Sequence, residues 1–503
     1  MSGEAHYLYA PPPDPRDDQR TLPAKCQDLI IGSGPSASVI AAYLAKAGRN
    51  VVLLEEGPAR DNSHYKDHLA PDTFARMYQT NGGFPIMGGP GTPPIVLQLG
   101  RCKGGGTVVN GAVCYRTDPE VVDEWRDELH LEHLAREIWD GFARAEKRIG
   151  VTSMGELHSL SALKVREGAK KLGWDYHDVH RNTPGCRGTS RCISGCVSNA
   201  KQSMLITYLK DAEEHGAVCY TDTRVTKIEG TFGKVRSVRG MRAGKTFHLQ
   251  AERIFCAGGG VMTPFLMLKS GIKHLRAIGR HLTIHPSTRA YYVFDEVVNA
   301  SQGAFQSFAV HEFRDEGIHI ISLFPPPGAF AASLPAIGPE LRTLLQTLPH
   351  IGIMGGLISD ESEGRVIALP IFDAPIVRYT MQPVDKRKML RCICLLGELG
   401  FAAGAREVYL PFNWRPAVLD MHELEHQLSE KISPHDFEIT AQHPLGTCRM
   451  GYDEDLSVVR EDGRVHGYEN LYVIDSSVIP TSIGVNPMLT VLAVAEVIGA
   501  SLT

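Results

Sequence analysis

Three groups of residues have types and spacings that could do chemistry. The first is Gly32-Ser33-Gly34-Pro35-Ser36-Ala37, a G-x-G-x-x-A turn, with Glu55 23 positions after its first glycine. Such a turn brings backbone N–H groups up to a diphosphate, and a carboxylate at that distance can accept hydrogen bonds from ribose hydroxyls. The second is Cys186, Cys192 and Cys196, three thiols in eleven residues with Gly185 just before them and Gly188 and Gly195 between them. Thiolates so placed are ligands for an iron–sulfur cluster, and three without a near fourth suit a three-iron, four-sulfur cluster or a cubane whose fourth ligand is distant or not protein. Zinc completed by His177 or His180, unligated thiols and a Cys192–Cys196 disulfide stay open. The third is His443 in Ala441-Gln442-His443-Pro444, together with Asn486-Pro487 ahead of an apolar run. A neutral imidazole can take a hydroxyl proton, whereas an asparagine can only hydrogen-bond to the oxygen.

The elements that must position these groups are legible from periodicity. Leu29 to Ile31 reads as a short buried strand, the alanine- and leucine-rich segment after Ala37 as a helix stopping near Gly48, and Val51 to Leu54 as a second strand ending on Glu55. Gly32 permits the tight turn, Gly34 lets the backbone approach a pyrophosphate, and Ala37 lets the helix pack on the strand. That order is a dinucleotide-binding unit, and it does not separate FAD from NAD. Gly104, Gly105 and Gly106 suit only a backbone passing close to something flat or anionic. Glu120 to Gly150 has the spacing of one amphipathic helix, a second surrounds Leu160 to Leu172, and strands alternate from Ala217. Arg253 to Ser270 reads as strand, glycine turn and helix with Pro264 in the first helical turn. Leu471 to Ile474 is a buried strand ending on Asp475, and Met488 to Ala500 a helix that begins beside it.

At 503 residues the chain has room for two to four domains, and a net charge of −5 gives no reason to expect nucleic acid. No apolar run approaches the roughly 20 residues that cross a bilayer. The N-terminus, rich in proline and charge, lacks an export signal and reads as an extended arm lying on the body or on a partner, so the expected location is cytoplasmic, with periplasmic placement by co-export alongside a partner as the alternative.

The motif G-x-x-x-G-G-G-T-x-x-N-x-x-x-x-x-R from Gly100 to Arg116 resembles the second signature of the glucose-methanol-choline oxidoreductases. So do Arg253 to Ser270, the run Gly279-Arg280-His281-Leu282 with His285-Pro286 (His281 standing for the usual asparagine), Ala441 to Gly451 and Asn470 to Ser501. The resemblance implies an α/β fold: an FAD-binding Rossmann-like domain built from discontinuous segments (26–150, 200–286 and 438–503), preceded by an arm at 1–25. It further implies a cap with the cysteine-rich loop at 151–199 and an α+β substrate domain at 287–437 whose sheet covers the flavin. It implies FAD contacts from Gly32, Gly34, Pro35, Ser36, Glu55, Glu56, Gly105, Gly106, Thr107, Asn110, Gly111, Val225, Ala257, Gly258, Asp475, Ser476, Asn486, Pro487 and Thr490. It makes His443 the base, with Asn486 beside it, in oxidation of an alcohol by hydride transfer to the flavin.

The cysteine triplet resembles one that holds a three-iron, four-sulfur cluster in flavoprotein subunits of sugar dehydrogenases. The run after it is similar to segments of long-chain alcohol oxidases and aminoglycoside 6'-dehydrogenases. The expectation is therefore an FAD-dependent dehydrogenase acting on a small-molecule alcohol, a sugar or glycoside among the candidates, with electrons leaving through a cluster at Cys186, Cys192 and Cys196 to a cytochrome or small subunit. An oxygen-reducing long-chain alcohol oxidase is the alternative.

Overall fold

The strand Lys25–Ile31 (β1) is buried from Asp28 onward, as its run of leucine and isoleucine requires. It ends at Gly32, whose φ of +110° disfavours any side chain and where a Cβ would lie 2.3 Å from the carbonyl oxygen of Ala257. Gly34 then caps helix α1 (Pro35–Lys46), which packs Ala37, Ile40, Ala41 and Leu44 inward. The fully buried Val51–Leu54 (β2) returns parallel to β1, with Leu54 opposite Ile31. The computed structural model that shows this describes residues 18–503 except 68–69, 154–156, 273, 332, 335, 414, 430–431 and 433–435.

Val218–Tyr220 (β3) pairs parallel with β2, and Lys245–Cys256 (β4) pairs parallel with the other edge of β1. The first half of β4 carries the antiparallel strands Lys234–Arg242 and Thr223–Thr231; helix α2 (Gly259–Lys269) follows its end. The second half of β4 pairs with Leu471–Val473 (β5), which leads to helix α3 (Met488–Leu502), packed on α1 and on Glu132–Ile149. The seven-stranded sheet therefore places β1 between strands whose connections leave in opposite directions, and a crevice opens beyond its carboxyl end.

An eleven-stranded sheet stands over that crevice. It runs from the hairpin Gly364–Ile367 and Ile376–Tyr379 through Phe84–Gly88, Ile95–Leu97 and Ile439–Ala441 to Ser287–Val293, Ile351–Ile358, Ile318–Ser322, Phe308–Val310 and Tyr176–Asp178. The apolar helix Pro383–Ala402 packs behind Ile351–Ile358. Four of these strands lie outside 287–437, so the sheet is assembled from segments that the sequence pattern groups with the dinucleotide unit or the cap.

Two details differ from the sequence-based expectation, and a third narrows it. The long helix at 120–150 is two, Pro119–Leu129 and Glu132–Ile149, broken where His130 turns left-handed at φ 54°. Pro264 lies inside α2 rather than in its first turn. The arm is described only from Asp18: its carboxylate accepts from the Thr221 N–H at 3.1 Å, and Arg20 lies over the Tyr220 ring, so this part sits on the body. Residues 1–17 of the arm lie outside the described residues. Among the described residues no helix is long and apolar enough to cross a membrane.

Gly32→Ala should destabilise the cofactor-free protein by about 2–4 kcal/mol in urea unfolding, because strain adds to a clash with a backbone carbonyl. Gly48→Ala, also left-handed but with nothing within 4 Å of its Cβ, should cost only about 1 kcal/mol.

Candidate active site

The glycine-rich turns, the ends of β2 and β5 and the inner face of the large sheet enclose one cavity of about 820 Å³. Its wall contains Gly32, Gly34, Pro35, Ser36, Glu55, Glu56, Gly105, Gly106, Thr107, Asn110, Gly111, Val225, Ala257, Gly258, Asp475, Ser476, Asn486, Pro487 and His443. Thr490 is the exception. It is fully buried in α3 and its hydroxyl bonds that of Thr117 at 2.8 Å, so it does not face the cavity.

The residues suit FAD. A Cβ at Gly34 would meet nothing within 4 Å, and no side chain caps α1, so its first N–H groups are left for an anionic group such as a diphosphate. Glu55 ends β2 with its carboxylate buried, accepting from the Ser33 hydroxyl at 2.6 Å and the Gly57 N–H at 2.8 Å. Burial pushes this carboxyl up to about 7 while those two donors pull it back. Ser33 also accepts from the Gly104 N–H at 3.0 Å, which ties the two glycine loops together.

Asp475 acts as a clamp. One carboxylate oxygen accepts from the Gly259 N–H and the Thr263 hydroxyl, the other from the Ser477 N–H, so the end of β5 is locked to the start of α2. Ser476 completes the joint, donating to the carbonyl of Pro444 at 3.0 Å and accepting from the Gly260 N–H at 3.1 Å. The chain next to His443 is thereby fixed against the cofactor wall.

His443 follows the strand Ile439–Ala441, and Asn486 lies in the loop before α3; Asn486 Nδ2 is 3.3 Å from His443 Nε2. A third residue completes the group and was missed as a site residue in the sequence. The fully buried His285 places its Nδ1 3.2 Å from His443 Nδ1, and its Nε2 accepts from the Ile483 and Gly484 N–H groups at 3.1 and 3.2 Å. The signal that could have found it was its place in His285-Pro286, inside a motif already singled out. Burial holds His443 down to about 4 and His285 well below the usual histidine range, so both are neutral at pH 7.

The cysteines do not form the expected centre. Cys192 Sγ accepts from Arg181 at 3.0 Å, Cys186 Sγ from the Gly188 N–H at 3.4 Å, and Cys196 Sγ from the Lys201 N–H at 3.4 Å. Each thiol faces its own partner, and among the described residues no group of three His, Cys, Asp or Glu side chains is placed to hold a metal ion. A three-iron, four-sulfur cluster does not fit this arrangement. What the loop supplies instead is the buried Lys201, whose ammonium donates to the carbonyls of Val108 (2.6 Å), Asn110 (3.1 Å) and Cys192 (2.7 Å) and so anchors the back of the Gly105–Asn110 loop.

The depressed His443 predicts a pH effect on folding. The unfolded chain takes up a proton near pH 6.5 and the folded site only near 4, so the stability this histidine contributes is complete above about 6.5 and is lost as pH falls toward 4. Urea unfolding at pH 7 and 5 should show His443→Asn losing about 1 kcal/mol less than the parent on acidification. An equal loss in both proteins would count against the assignment.

Comparison with known proteins gives the family. The N-terminal GMC oxidoreductase family model matches residues 26–287 and the C-terminal one residues 361–495. The chain is 34% identical over 475 residues to an uncharacterised GMC-type oxidoreductase of Mycobacterium tuberculosis, covering 93% of this chain and 74% of the relative. It is 26% identical over 509 residues to a long-chain-alcohol oxidase of Arabidopsis thaliana, covering 94% and 67%. Its fold is similar to that of pyridoxine 4-oxidase from Mesorbium loti, with a TM-score of 0.71 at 18% identity over 95% and 99% of the two chains. The chain belongs to the GMC oxidoreductases and is an FAD-dependent oxidoreductase.

Proposed function

We propose that this enzyme oxidises the CH–OH group of an alcohol with an apolar body to the aldehyde or ketone. The observation that carries this reading is the His443–Asn486 pair, 3.3 Å apart, on the wall of the same cavity as the dinucleotide loops. FAD, when bound, supplies the hydride acceptor. His443 and Asn486 meet the hydroxyl oxygen and orient the carbinol carbon, and the enclosing sheet keeps bulk water from the reacting bond.

The cavity wall presents more apolar than polar surface, with Phe305, Ile321, Leu323, Pro325 and Leu357 beside Ser287, Thr288 and Thr440, and the ionic groups Arg289 and Glu438 are paired with each other. A long or bulky alcohol suits such a wall better than a sugar, whose many hydroxyls would need partners. Likeness to long-chain-alcohol oxidases supports the same choice. Because the cysteines face separate partners, the reading that electrons pass through a cluster to a partner protein gives way to direct reoxidation of the flavin by oxygen.

Anaerobic addition of primary alcohols of increasing chain length should bleach the visible flavin band, faster with longer chains. His443→Ala should slow bleaching by at least about 1,000-fold without releasing FAD. In air the parent should consume oxygen and form peroxide, and iron and acid-labile sulfide should be absent. Bleaching by His443→Ala at the parental rate would sink the site assignment, and stoichiometric iron would return the cluster.

A further inference from the structure

One ion pair on the cavity wall belongs neither to the dinucleotide loops nor to the group around His443. Arg289 lies on the strand Ser287–Val293 and Glu438 just ahead of the strand Ile439–Ala441, and Arg289 Nη2 donates to Glu438 Oε1. The two strands pair at Ser287 and Thr440 alone, and in that antiparallel register the next residues to face each other are Arg289 and Glu438. Side chains two residues apart share a face of a sheet. Ser287, Arg289, Glu438 and Thr440 therefore form one polar lane along the wall, and Gln442 carries it to the residue before His443.

An apolar lane runs beside it. On the adjoining strand, Leu357 stands opposite Ser287 and Gly355 opposite Arg289. Leu323 fills the space over Gly355, where a Cβ would come within 2.4 Å of its side chain. An alkyl chain lying on Leu357 and Leu323 therefore passes alongside the ion pair.

Holding the strands together does not require this pair. The hydroxyls of Ser287 and Thr288 already tie the two segments, donating to the carbonyls of Thr440 at 2.9 Å and Glu438 at 3.0 Å. Nor is the pair saturated. Among the described residues, the contact from Nη2 to Oε1 is the only hydrogen bond that either side chain makes, and 19% of the Arg289 side chain and 26% of the Glu438 side chain stay exposed. A purely alkyl group laid over the remaining N–H groups and Oε2 would strip their water and return no bond. A neutral hydroxyl can accept from the guanidinium and donate to the carboxylate at once. A carboxylate in its place would meet the charge of Glu438, and an ammonium that of Arg289.

We infer that Arg289 and Glu438 bind a second hydroxyl at the far end of the substrate, so that the substrate class is an apolar chain with a hydroxyl at each end. This rests on the reading that the cavity oxidises an alcohol at His443 and Asn486. The five residues from Glu438 to His443 span at most about 16 Å, which limits the length of chain that reaches both ends. The preference for a far hydroxyl should therefore rise with chain length and fall once that hydroxyl overshoots the pair.

Anaerobic bleaching of the holoenzyme by primary alcohols and by the α,ω-diols of the same chain lengths tests this. At the best length the diol should half-saturate the rate at a concentration about tenfold lower than the alcohol, beyond the factor of about two that its equivalent ends supply, with the limiting rate little changed. The ω-hydroxy acid of that length should bind no tighter than the alcohol. Replacing both residues together, Arg289→Met with Glu438→Leu, should bring the diol and the alcohol to within about twofold of each other. The reversed pair, Arg289→Glu with Glu438→Arg, keeps a donor and an acceptor on the lane and should recover a preference of several-fold. Equal constants for diols and alcohols in the parent overturn the proposal whether or not the variants fold. So does a full preference surviving in Arg289→Met with Glu438→Leu, or tighter binding of the hydroxy acid than of the diol. Bleaching by neither series would overturn the functional reading itself, whereas bleaching by alcohols with no advantage to diols would overturn this inference alone.

Discussion

One buried carboxylate holds the site together. Asp360 accepts hydrogen bonds from the N–H groups of Ile284 and His285, the hydroxyl of Tyr379 and the hydroxyl of Ser482. These donors come from three separate stretches of chain. Burial pushes its carboxyl up to about 6 against the pull of all four. Removing any one would leave the others around a less satisfied buried group, which costs more than one average hydrogen bond. The same anchor registers the backbone at His285 and the loop at Ser482, one and two residues before the N–H groups that His285 accepts. The segment that carries His285 and the loop that supplies its backbone donors are therefore held by one group.

Lys201 plays the matching part on the other side of the cavity. Its ammonium is buried, and burial pushes it down to about 8 although Cys192 and Cys196 favour its charge. Three carbonyl acceptors offset much of that cost, two of them on the loop that lines the cofactor cavity. The cysteine-rich segment is thus structural in a specific sense: its turns deliver a cation to the back of a glycine loop that has few side chains of its own to hold it.

The sequence was most legible where backbone geometry dictates residue type. The turn at Gly32, the cradle at Gly34 and the carboxylate at Glu55 each have a steric or electrostatic reason visible in one short window, and all three line the cavity. Legibility failed where the deciding contact is between distant segments. Thr490 lies between Met488 and Val491, both of which line the cavity, and only the packing on Thr117 shows that it faces away. The large sheet draws strands from 84–97, 176–178 and 439–441, which periodicity alone could not assign to it. Three close cysteines look like ligands by spacing, yet thiol direction depends on contacts with Arg181 and Lys201 that spacing does not show. His285 lay in a recognised motif and still went unread, because its importance comes from a contact 158 positions away.

A histidine backed by a carboxylate and a histidine backed by a second imidazole differ in what they present at the far nitrogen. A carboxylate accepts the Nδ1 proton and leaves Nε2 as a lone pair, which suits a base. Here the partner of His443 is an imidazole whose own far nitrogen accepts from two backbone N–H groups. A hydrogen-bond chain takes its direction from the one member that cannot change, and in this site that member is main chain. The orientation of the His285 ring is therefore tied to the conformation of residues 483 and 484, where a turn presenting a carbonyl in place of those N–H groups would leave its Nε2 lone pair without a partner.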